Sequence, residues 1–547
     1  MSDSIEALEA AEQDEDNTAS TDGRMGGGSR RDRELELLTS LAADLQLFRD
    51  EDGKAFAALP EGGGRAAPVT SWTIRDWLGR RIHVAGRPPV QPATMDEFIG
   101  ILSARARYDG EMRSVHTRWA FVDGEVWCDL GGDTPRFVRV TPAGWMDETT
   151  SPHAFHQTRN GVAMPEPVRG GSVKELRPFV NVASDQDFML LVGFMVGAMI
   201  DEGSFPTLAV QGEQGSGKSV TSDVVCKLLD ETTVLRRSYP RNTQELLIVA
   251  SGHWIPAFDN MSRLPAAASD DLCGVSTGTA FSTRTLYTDA DESVIKARRP
   301  IVLNGIDDLA ERPDLVSRCI VLELPTITGE HQTEREFWER FEEVRPRVFG
   351  ALLDAVSGSL DNYREVKLPY TPRLADFLAH VTGAEAALGW APGSFADAYL
   401  ANLENANHVA LDSDPLATAL LDYVGQFDVG TVVEKTAAEW LPELAGCWPT
   451  AGPRRAGLPG NPLTLSNRLR RLAPALRDVG TMLEFVRLND RNRTRVIRVL
   501  LNDKPPMTQR GQDLAAFEQL ARSVSGSHHP VTPSWTRVRD FERRKTE

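Results

Sequence analysis

The chain of 547 residues is short of paired cysteines, clustered histidines and long hydrophobic runs, and each shortage excludes a class of protein. Its five cysteines include no C-x-x-C pair, which argues against a disulfide framework or a zinc ribbon and favours a reducing compartment. The longest apolar run, at 188–200, is too short to span a bilayer and predicts a buried helix. The acidic start of the chain has no signal-peptide pattern. We therefore expect a cytoplasmic protein with no membrane partner.

Lysine is also scarce, since arginine supplies 51 of the 60 basic residues. The 78 acidic residues give a net charge of −18, so the molecule as a whole does not attract a polyanion. Any nucleic-acid site must therefore be a local basic patch. Part of the acidity lies in the first 30 residues, which hold eight acidic side chains and two arginines. Residues 1–34 are polar and glycine-rich, and predict a disordered acidic tail.

Composition and periodicity predict an α/β chain of several domains. Beyond a Pro/Gly linker at 163–173, apolar strands alternate with helical segments, which is the pattern of a parallel sheet. The mixed region before this linker includes a hairpin with its turn at Asp123-Gly124. The predicted segments are a disordered tail (1–34), a small α+β domain (36–165), the parallel-sheet core (166–330), a helical lid (331–410), a compact unit (413–502) and a flexible tail (503–547).

One glycine-rich stretch, VQGEQGSGKSV at 210–220, lies between a strand-like and a helical segment. It contains G-x-x-x-x-G-K-S/T without a gap, in the strand–loop–helix context that this phosphate-binding motif requires. Its backbone N–H groups and the helix amino terminus would surround the phosphates of ATP. We expect Lys218 to reach the β- and γ-phosphates and Ser219 to hold Mg²⁺. The predicted ATP-binding residues are Gly212, Glu213, Gln214, Gly215, Ser216, Gly217, Lys218, Ser219 and Val220.

Two further polar side chains end apolar, strand-like runs. The run HWIPAFDN brings Asp259 to a strand end forty residues after Ser219, where it would hold Mg²⁺ together with that hydroxyl. The run RRPIVLNG ends near Asn304, whose amide would orient the attacking water or contact the γ-phosphate. Arg312 and Arg318 follow, and an arginine there suits a finger inserted into a neighbouring subunit's ATP site, with a surface salt bridge as the alternative.

The order of these motifs over residues 170–410 resembles the AAA+ ATPases. Within them it is most similar to superfamily III helicases and phage-type helicase/primase ATPases. The resemblance implies a ring, usually a homo-hexamer, with ATP at the subunit interfaces. The segment YTPRLADFLAH resembles the sensor 2 part of the lid, which implies that Arg373 lies near the γ-phosphate. The implied Walker A, Walker B, sensor 1 and finger residues are Lys218, Ser219, Asp259, Asn304 and Arg318.

The chain departs from this family at Asn260, where such ATPases usually carry a second carboxylate. An amide positions water but does not accept its proton. Because phosphoryl transfer depends mostly on positioning and electrostatics, hydrolysis survives this change in principle. We count Asn260 among the candidate catalytic residues and leave the general base unassigned.

A predicted hairpin, FSTRTLYTDADESVIKARRP at 281–300, precedes the strand of Asn304. In superfamily III helicases a hairpin at this place projects into the pore of the ring and grips single-stranded DNA. By that resemblance Arg284, Lys296 and Arg298 contact phosphates, and an ordinary solvated hairpin is the alternative.

The compact unit at 413–502 carries the local basic patch. Its sequence predicts three helices followed by two strands, which resembles a winged helix-turn-helix. Residues 461–500 hold nine arginines against three acidic residues. We therefore expect it to bind duplex DNA through its phosphates, and a protein-docking wing is the alternative. The candidate contacts on the third helix are Arg468, Arg470, Arg471 and Arg477.

Together these patterns predict an ATP-dependent DNA motor, similar to a helicase, in the replication of a phage or mobile genetic element. The alternative is an AAA+ loader or regulator that uses ATP to assemble on DNA. A small-molecule kinase does not need the sensor and finger residues, and a winged helix is unexpected in a protein remodeller. The predicted cofactors are ATP and Mg²⁺, and the predicted partners are single-stranded DNA in the pore and duplex DNA at the winged helix.

Overall fold

The computed structural model describes most of the chain between residues 29 and 501, and it divides into two compact units, Met1–Val115 and His116–Glu547. The predicted tail at 503–547 lies outside the described residues, as do residues 1–28. No helix of the described part is long and apolar enough to cross a membrane. The described residues are 29–261, 264–284, 292–306, 309, 312–328, 333–368, 371–448, 457–489 and 493–501.

The first unit is a small α+β fold. Its sheet has the strand order β3-β2-β1-β4, in which β1 is antiparallel to β2 and parallel to β4. Apolar side chains of all three helices, such as Leu38, Leu78 and Leu102, form its core. Its elements are α1 (Arg30–Leu41), β1 (Gln46–Arg49), β2 (Ala55–Ala58), a 3₁₀ turn (Pro60–Gly62), β3 (Ala66–Pro68), α2 (Trp72–Val84), α3 (Pro92–Tyr108) and β4 (Glu111–Met112).

The disorder predicted for residues 1–34 is wrong at its carboxyl end. Ser29 caps helix α1, because its side chain accepts a hydrogen bond from the Asp32 amide while Asp32 Oδ2 accepts one from the Ser29 amide. This reciprocal capping box satisfies two amides that a helix start leaves unpaired. Arg31 then pairs with Glu97 of helix α3, which ties the first turn of α1 to the unit.

A β-meander opens the second unit. Its four-stranded sheet runs antiparallel in the order β6-β7-β8-β9. The predicted turn is confirmed, since Asp123 and Gly124 join β6 to β7 in the left-handed region, at φ 54° and 80°. The strands of this region are β5 (Val115–His116), β6 (Trp119–Val122), β7 (Glu125–Asp129), β8 (Phe137–Thr141), β9 (Gly144–Glu148) and β10 (Ala154–Phe155).

The predicted α+β domain at 36–165 does not hold together as one unit, because residues 116–165 share the core of the second unit. The Trp119 indole is fully buried and donates to the Leu229 carbonyl over 2.8 Å. Arg118 Nε donates to Asp230 Oδ1 over 3.0 Å, and both side chains are buried. The division therefore falls near residue 115, in a run that lacks the Pro and Gly of a linker.

A four-stranded parallel sheet with the order β12-β15-β11-β16 forms the centre of the second unit. A parallel bridge between Arg237 and Phe258 adds one more chain segment beyond β12. The elements are a 3₁₀ helix (Val173–Phe179), α4 (Asp185–Ala198), β11 (Thr207–Gln211), α5 (Lys218–Leu229), α6 (Thr243–Gly252), β12 (Ala257–Met261), α7 (Ala266–Thr277), β13 (Thr279–Arg284), β14 (Glu292–Ala297), β15 (Ile301–Gly305), α8 (Pro313–Val316) and β16 (Cys319–Glu323).

The described residues between 334 and 413 are mainly helical, as the sequence predicts for 331–410. They pack on the buried helix α4, where Gly193 lies against the ring of Phe395 and Gly197 against the ring of Phe377. The apolar run at 188–200 is therefore part of a buried helix, as predicted. The elements are α9 (Glu334–Asn362), a 3₁₀ turn (Tyr363–Glu365), α10 (Ala375–Gly383), α11 (Glu385–Leu388) and α12 (Ser394–Ser413).

The carboxyl-terminal region has its own apolar cluster, which includes Leu416, Trp440, Leu469 and Ile497. The sequence predicts three helices and a hairpin here, and the structure adds a strand, β17 (Val432–Thr436), directly before the second helix. Strand β17 pairs with β19, and its last residue, Thr436, is the N-cap of the helix that follows. The sheet order is β17-β19-β18. The elements are α13 (Pro415–Val424), β17 (Val432–Thr436), α14 (Ala437–Gly446), α15 (Pro462–Asp478), β18 (Thr481–Arg487) and β19 (Arg495–Leu501).

Replacing Gly193 by alanine should destabilise the second unit. A Cβ atom there would overlap the fully buried ring of Phe395, and overpacking a core costs about 1–3 kcal/mol. Denaturant unfolding of Gly193→Ala measures this loss. Gly252→Ala is the matched control, because the added Cβ of this helical residue meets nothing within 4 Å. Equal stability of both variants would contradict the packing role of Gly193.

Candidate functional site

Three sequence-predicted features meet at the carboxyl edge of the parallel sheet. The glycine-rich loop follows β11, Asp259 lies near the end of β12, and Asn304 lies near the end of β15. Because these strands are parallel and adjacent, their carboxyl ends share one edge. The structure therefore brings together the residues that the sequence could only place on separate strand ends.

The loop at 212–217 has a backbone that requires glycine. Gly212, Gly215 and Gly217 have φ values of 143°, 82° and 87°, a region that other residues rarely adopt. A Cβ atom on Gly212 would lie 2.6 Å from the Leu324 carbonyl oxygen. Ser216 is fully buried, and its hydroxyl has no hydrogen-bond partner within the described residues.

Asn181 supports this loop from outside the motif. Its Nδ2 donates to the Ser216 carbonyl over 2.9 Å and to the Pro325 carbonyl over 2.6 Å. Thr326 Oγ1 donates to Glu213 Oε2 over 3.1 Å. No sequence motif marks Asn181, since it lies 31 residues before Gly212 in an irregular segment.

Lys218 lies at the start of helix α5 and folds back over the loop. Its Nζ donates to the carbonyl oxygens of Gly212 and Glu213 over 2.7 and 2.6 Å. Partial burial lowers the pKa of Lys218 from its ordinary value. The ammonium group thus lies inside the loop, beside the helix terminus whose first amides have no partner within the helix. Val220 follows within the first turn of α5.

The carboxylate of Asp259 faces the hydroxyl of Ser219, which donates to its two oxygens over 3.3 and 3.4 Å. An unpredicted residue, Arg236, also contacts Asp259, through Nη1 and Oδ2. Arg236 Nε donates over 2.6 Å to Oδ1 of Asp223 on helix α5. Burial raises the pKa of Asp223, against the attraction of Arg236. The guanidinium group therefore joins two carboxylates.

Asn304 connects the strand ends. It is 1% exposed, its Oδ1 accepts a hydrogen bond from the Asn260 amide over 3.0 Å, and its Nδ2 donates to Ser222 Oγ over 3.1 Å. Asn260 has a left-handed backbone with φ 56°, at an irregularity in the pairing of β12 with β15. Asparagine tolerates this conformation better than glutamate does, which gives a backbone reason for the amide at a position where the resemblance to AAA+ ATPases implies an acid.

Two predicted site arginines that follow the strand of Asn304, Arg318 and Arg373, lie at the other edge of the sheet. The Thr207 amide, at the start of β11, donates to the Arg318 carbonyl over 2.8 Å. Arg318 therefore lies at the amino edge of the sheet, and the loop follows the other end of β11, roughly 13 Å away at about 3.3 Å per residue. Arg373 Nη1 donates to Asp314 Oδ1 over 2.7 Å at that same edge. Arg373 therefore lies away from the glycine loop of its own chain, and its place near a γ-phosphate stays a prediction.

Asp314 joins the two arginines of this amino-edge cluster. Burial opposes its ionisation, but Arg318 and Arg373 outweigh that effect and hold the pKa of Asp314 below its usual range. The Arg318 side chain is only 8% exposed, whereas that of Arg373 is 47% exposed. Arg318 is thus buried in an ion pair within its own chain. Arg312 is partly exposed and pairs with Asp270.

The predicted hairpin forms from β13 and β14, with the register Arg284 to Glu292. The turn between them and the Arg284 side chain lie outside the described residues, and Lys296 is exposed. Arg298 Nη2 donates to Asp201 Oδ1 over 2.6 Å, and the guanidinium lies over the Phe205 ring. Arg298 is therefore paired within its own chain at the base of the hairpin. The sequence predicts a contact of this residue to a phosphate instead.

The arginines of helix α15 separate in a similar way. Arg468 donates to Asp414 Oδ1 over 3.1 Å and to the Gly457 carbonyl, so its charge is compensated inside the chain. Arg470 is exposed and its guanidinium lies 4.2 Å from the centre of the Phe485 ring. Arg471 and Arg477 are exposed. The solvent-facing basic side chains of α15 are therefore Arg470, Arg471 and Arg477, without Arg468.

No cluster of three or more histidine, cysteine, aspartate or glutamate residues suited to a metal ion occurs in the described residues. Ser219 and Asp259 instead supply two oxygen donors at the mouth of the glycine loop. Mg²⁺ prefers oxygen ligands and usually takes only one or two from the protein, with phosphates and water completing its shell. The donor set therefore fits a nucleotide-bound Mg²⁺ ion.

Family comparisons cover both the sheet and the carboxyl-terminal region. Residues 173–408 match the model of the actinomycete integrative conjugative element replication protein. Residues 416–510 match the model of the RepA C-terminal domain of the same elements. Over both segments the chain is similar to a mobile-element replication protein. The matched segments contain the glycine loop, the hairpin and helix α15.

Other comparisons are weaker. No curated protein matches the chain. A solved structure titled SCCmec type IV Cch, active helicase, has 12% identity and a TM-score of 0.44, covering 85% of this chain and 94% of that one. The A form apo structure of the NrS-1 C-terminal region has 12% identity and a TM-score of 0.35, covering 86% of this chain and 99% of that one. These TM-scores are too low to assign a shared fold.

Proposed function

We propose that the chain is an ATP-dependent DNA motor, with a P-loop AAA+ core, that acts in the replication of a mobile genetic element. The observation that carries the proposal is the carboxyl edge of the parallel sheet, where the glycine loop, Lys218 and the Ser219–Asp259 pair meet beside Asn304. A loop with this backbone suits a polyphosphate, and its neighbouring oxygens suit the accompanying metal. The similarity to a conjugative-element replication protein supports DNA as the substrate.

Each residue of this edge has a role in nucleotide chemistry. The loop amides and Lys218 would bind the phosphates, and Lys218 would exchange its two carbonyl partners for phosphate oxygens. Ser219 and Asp259 would hold Mg²⁺, which neutralises charge on the transferring phosphoryl group. Asn304 would orient the attacking water together with the adjacent Asn260. The general base stays unassigned.

The assembly stays a prediction. In a homo-hexameric ring, a residue of one subunit completes the ATP site of the next. Arg318 is predicted for that role. Its side chain is buried against Asp314, however, which suits a structural role in the amino-edge cluster better than insertion into a neighbouring subunit. Arg373 is half exposed on the same carboxylate and is the more accessible cation. Either arginine would act on a neighbouring subunit, since both lie away from their own chain's loop.

We propose the carboxyl-terminal region as a winged helix that binds duplex DNA. Three helices and a three-stranded sheet surround its cluster of apolar residues, and helix α15 turns three arginines to solvent. The hairpin β13–β14 is the proposed contact to single-stranded DNA, through Arg284 and Lys296. With Arg298 and Arg468 committed to internal pairs, each surface relies on fewer cations than the sequence predicts.

An AAA+ loader or regulator is the second candidate. The observation that favours it is that an amide, Asn260, follows Asp259 at the position where the resemblance to AAA+ ATPases implies a second carboxylate. Slow hydrolysis would suit a protein that uses ATP to assemble on DNA. A strand-displacement assay separates the two candidates directly.

ATP binding should depend on Lys218. Lys218→Ala removes the ammonium group from the loop, and the loss of a charge-assisted contact to phosphate should weaken binding about 100-fold. Titration with a fluorescent ATP analogue measures it. Lys174→Ala, which removes an exposed lysine away from the loop, is the control and should bind as the wild type does. Unchanged affinity in Lys218→Ala would refute the phosphate-binding loop.

Single-stranded DNA should stimulate ATP hydrolysis through the hairpin. The double variant Arg284→Gln/Lys296→Gln should lose this stimulation and strand displacement, and should keep basal hydrolysis and nucleotide affinity, because neither residue lies at the glycine loop. Steady-state ATPase rates with and without DNA test this. A matched control replaces two exposed cations elsewhere, Lys174→Gln/Arg335→Gln. A hairpin variant that keeps its stimulation would favour the loader.

Duplex DNA binding should fall steeply with salt, because arginines on helix α15 displace counterions from phosphates. Arg471→Gln/Arg477→Gln should lower the salt slope of log K by about two, one unit for each lost phosphate contact. Fluorescence anisotropy over a salt series measures the slope. Arg335→Gln should leave it unchanged. If Arg471→Gln/Arg477→Gln has the same salt slope as the wild type, a protein partner for this region is favoured instead.

A further inference from the structure

Arg236 belongs to the network at the nucleotide edge, and no sequence motif predicts it. Its guanidinium lies between helix α5 and strand β12, with Nε on Asp223 and Nη1 on Asp259. The three side chains are between 13% and 28% exposed, so the arrangement is screened from bulk water more than a surface ion pair is. Both carboxylates thus depend on one cation.

The backbone holds Arg236 in this position. The next residue, Arg237, forms a parallel bridge with Phe258, its amide donates to the Ala257 carbonyl over 3.1 Å, and its carbonyl accepts from the Asp259 amide over 2.9 Å. The segment therefore pairs with β12 through one isolated parallel bridge. Arg236 is fixed beside Asp259 by main-chain pairing as well as by charge.

The contacts of Asp259 leave little room for a metal ion. Ser219 donates to both of its oxygens, and Arg236 contacts Oδ2. A divalent cation that approaches these oxygens meets a fixed positive charge a few ångströms away, which opposes its binding in a partly buried site. A nucleotide brings several negative phosphate charges to the same edge and reverses that balance.

We propose that Arg236 is a positioning residue that closes Asp259 to divalent cations until a nucleotide is bound. When the metal arrives with the nucleotide, Nη1 leaves Asp259 while Nε keeps its hydrogen bond to Asp223. Asp223 is thus the anchor that retains the guanidinium in its released position. The inference rests on the proposed function, because it takes Asp259 as a ligand of the nucleotide's Mg²⁺ ion. Binding of metal and of nucleotide is then strongly and reciprocally coupled.

Mn²⁺ binding in the absence of nucleotide tests the proposal, with electron paramagnetic resonance of free Mn²⁺ as the measurement. The wild type should bind Mn²⁺ weakly at this site. Arg236→Gln should bind it about tenfold more tightly or better, since the opposing charge is gone. The double variant Arg236→Gln/Asp259→Asn should lose this gain, which assigns it to Asp259. Arg236→Lys, which keeps the charge, should stay near the wild type, and Arg241→Gln is the control for a nearby exposed arginine.

A second variant acts in the opposite direction. Asp223→Asn removes the anchor, so the guanidinium should stay on Asp259 and the nucleotide-bound protein should need more Mn²⁺ for half-saturation. This measurement decides the question if Arg236→Gln does not fold, as judged by circular dichroism. A folded Arg236→Gln with wild-type Mn²⁺ affinity, or an Asp223→Asn with unchanged half-saturation, would overturn the proposal. Failure of the wild type to bind the fluorescent ATP analogue would instead overturn the proposed function.

Discussion

The parallel pairing of β11 with β15 on one side and β16 on the other determines where the candidate site residues of the sheet lie. It brings the ends of β11, β12 and β15 to one edge, with the glycine loop, Asp259 and Asn304 side by side. It also sends the start of β16, and with it Arg318, to the opposite edge. A single rule of strand direction therefore separates the proposed nucleotide contacts from the arginines that would serve a neighbouring subunit.

The second constraint is electrostatic. In a chain with 60 basic and 78 acidic residues, many of the described arginines pair with a carboxylate. Arg118 pairs with Asp230, Arg298 with Asp201, Arg345 with Glu231 and Arg468 with Asp414. A basic side chain serves a polyanion only if no internal partner holds it. Within the described residues, Arg471 and Arg477 of helix α15 are exposed and have no carboxylate partner, whereas Arg468 pairs with Asp414.

These two constraints explain what the sequence predicts well and what it does not. The glycine loop, the turn at Asp123-Gly124 and the buried run at 188–200 depend on neighbours in the sequence, and the structure has them as predicted. The strand ends at Asp259 and Asn304 follow from apolar runs. The ion pairs of Arg373, Arg298 and Arg468 and the network of Arg236 depend on partners far away in the sequence. No local pattern encodes them.

The β-meander at the start of the second unit has a consequence for truncation. Asp230 accepts hydrogen bonds from Arg118 and, through Oδ2, from the amides of Trp254 and Ile255 just before β12. Trp119 holds the carboxyl end of α5 through the Leu229 carbonyl. Removal of the meander would leave a buried carboxylate without its cation, at a cost of roughly 3–5 kcal/mol. A shortened chain that keeps the nucleotide edge intact must therefore begin before Arg118, well upstream of the glycine-rich linker.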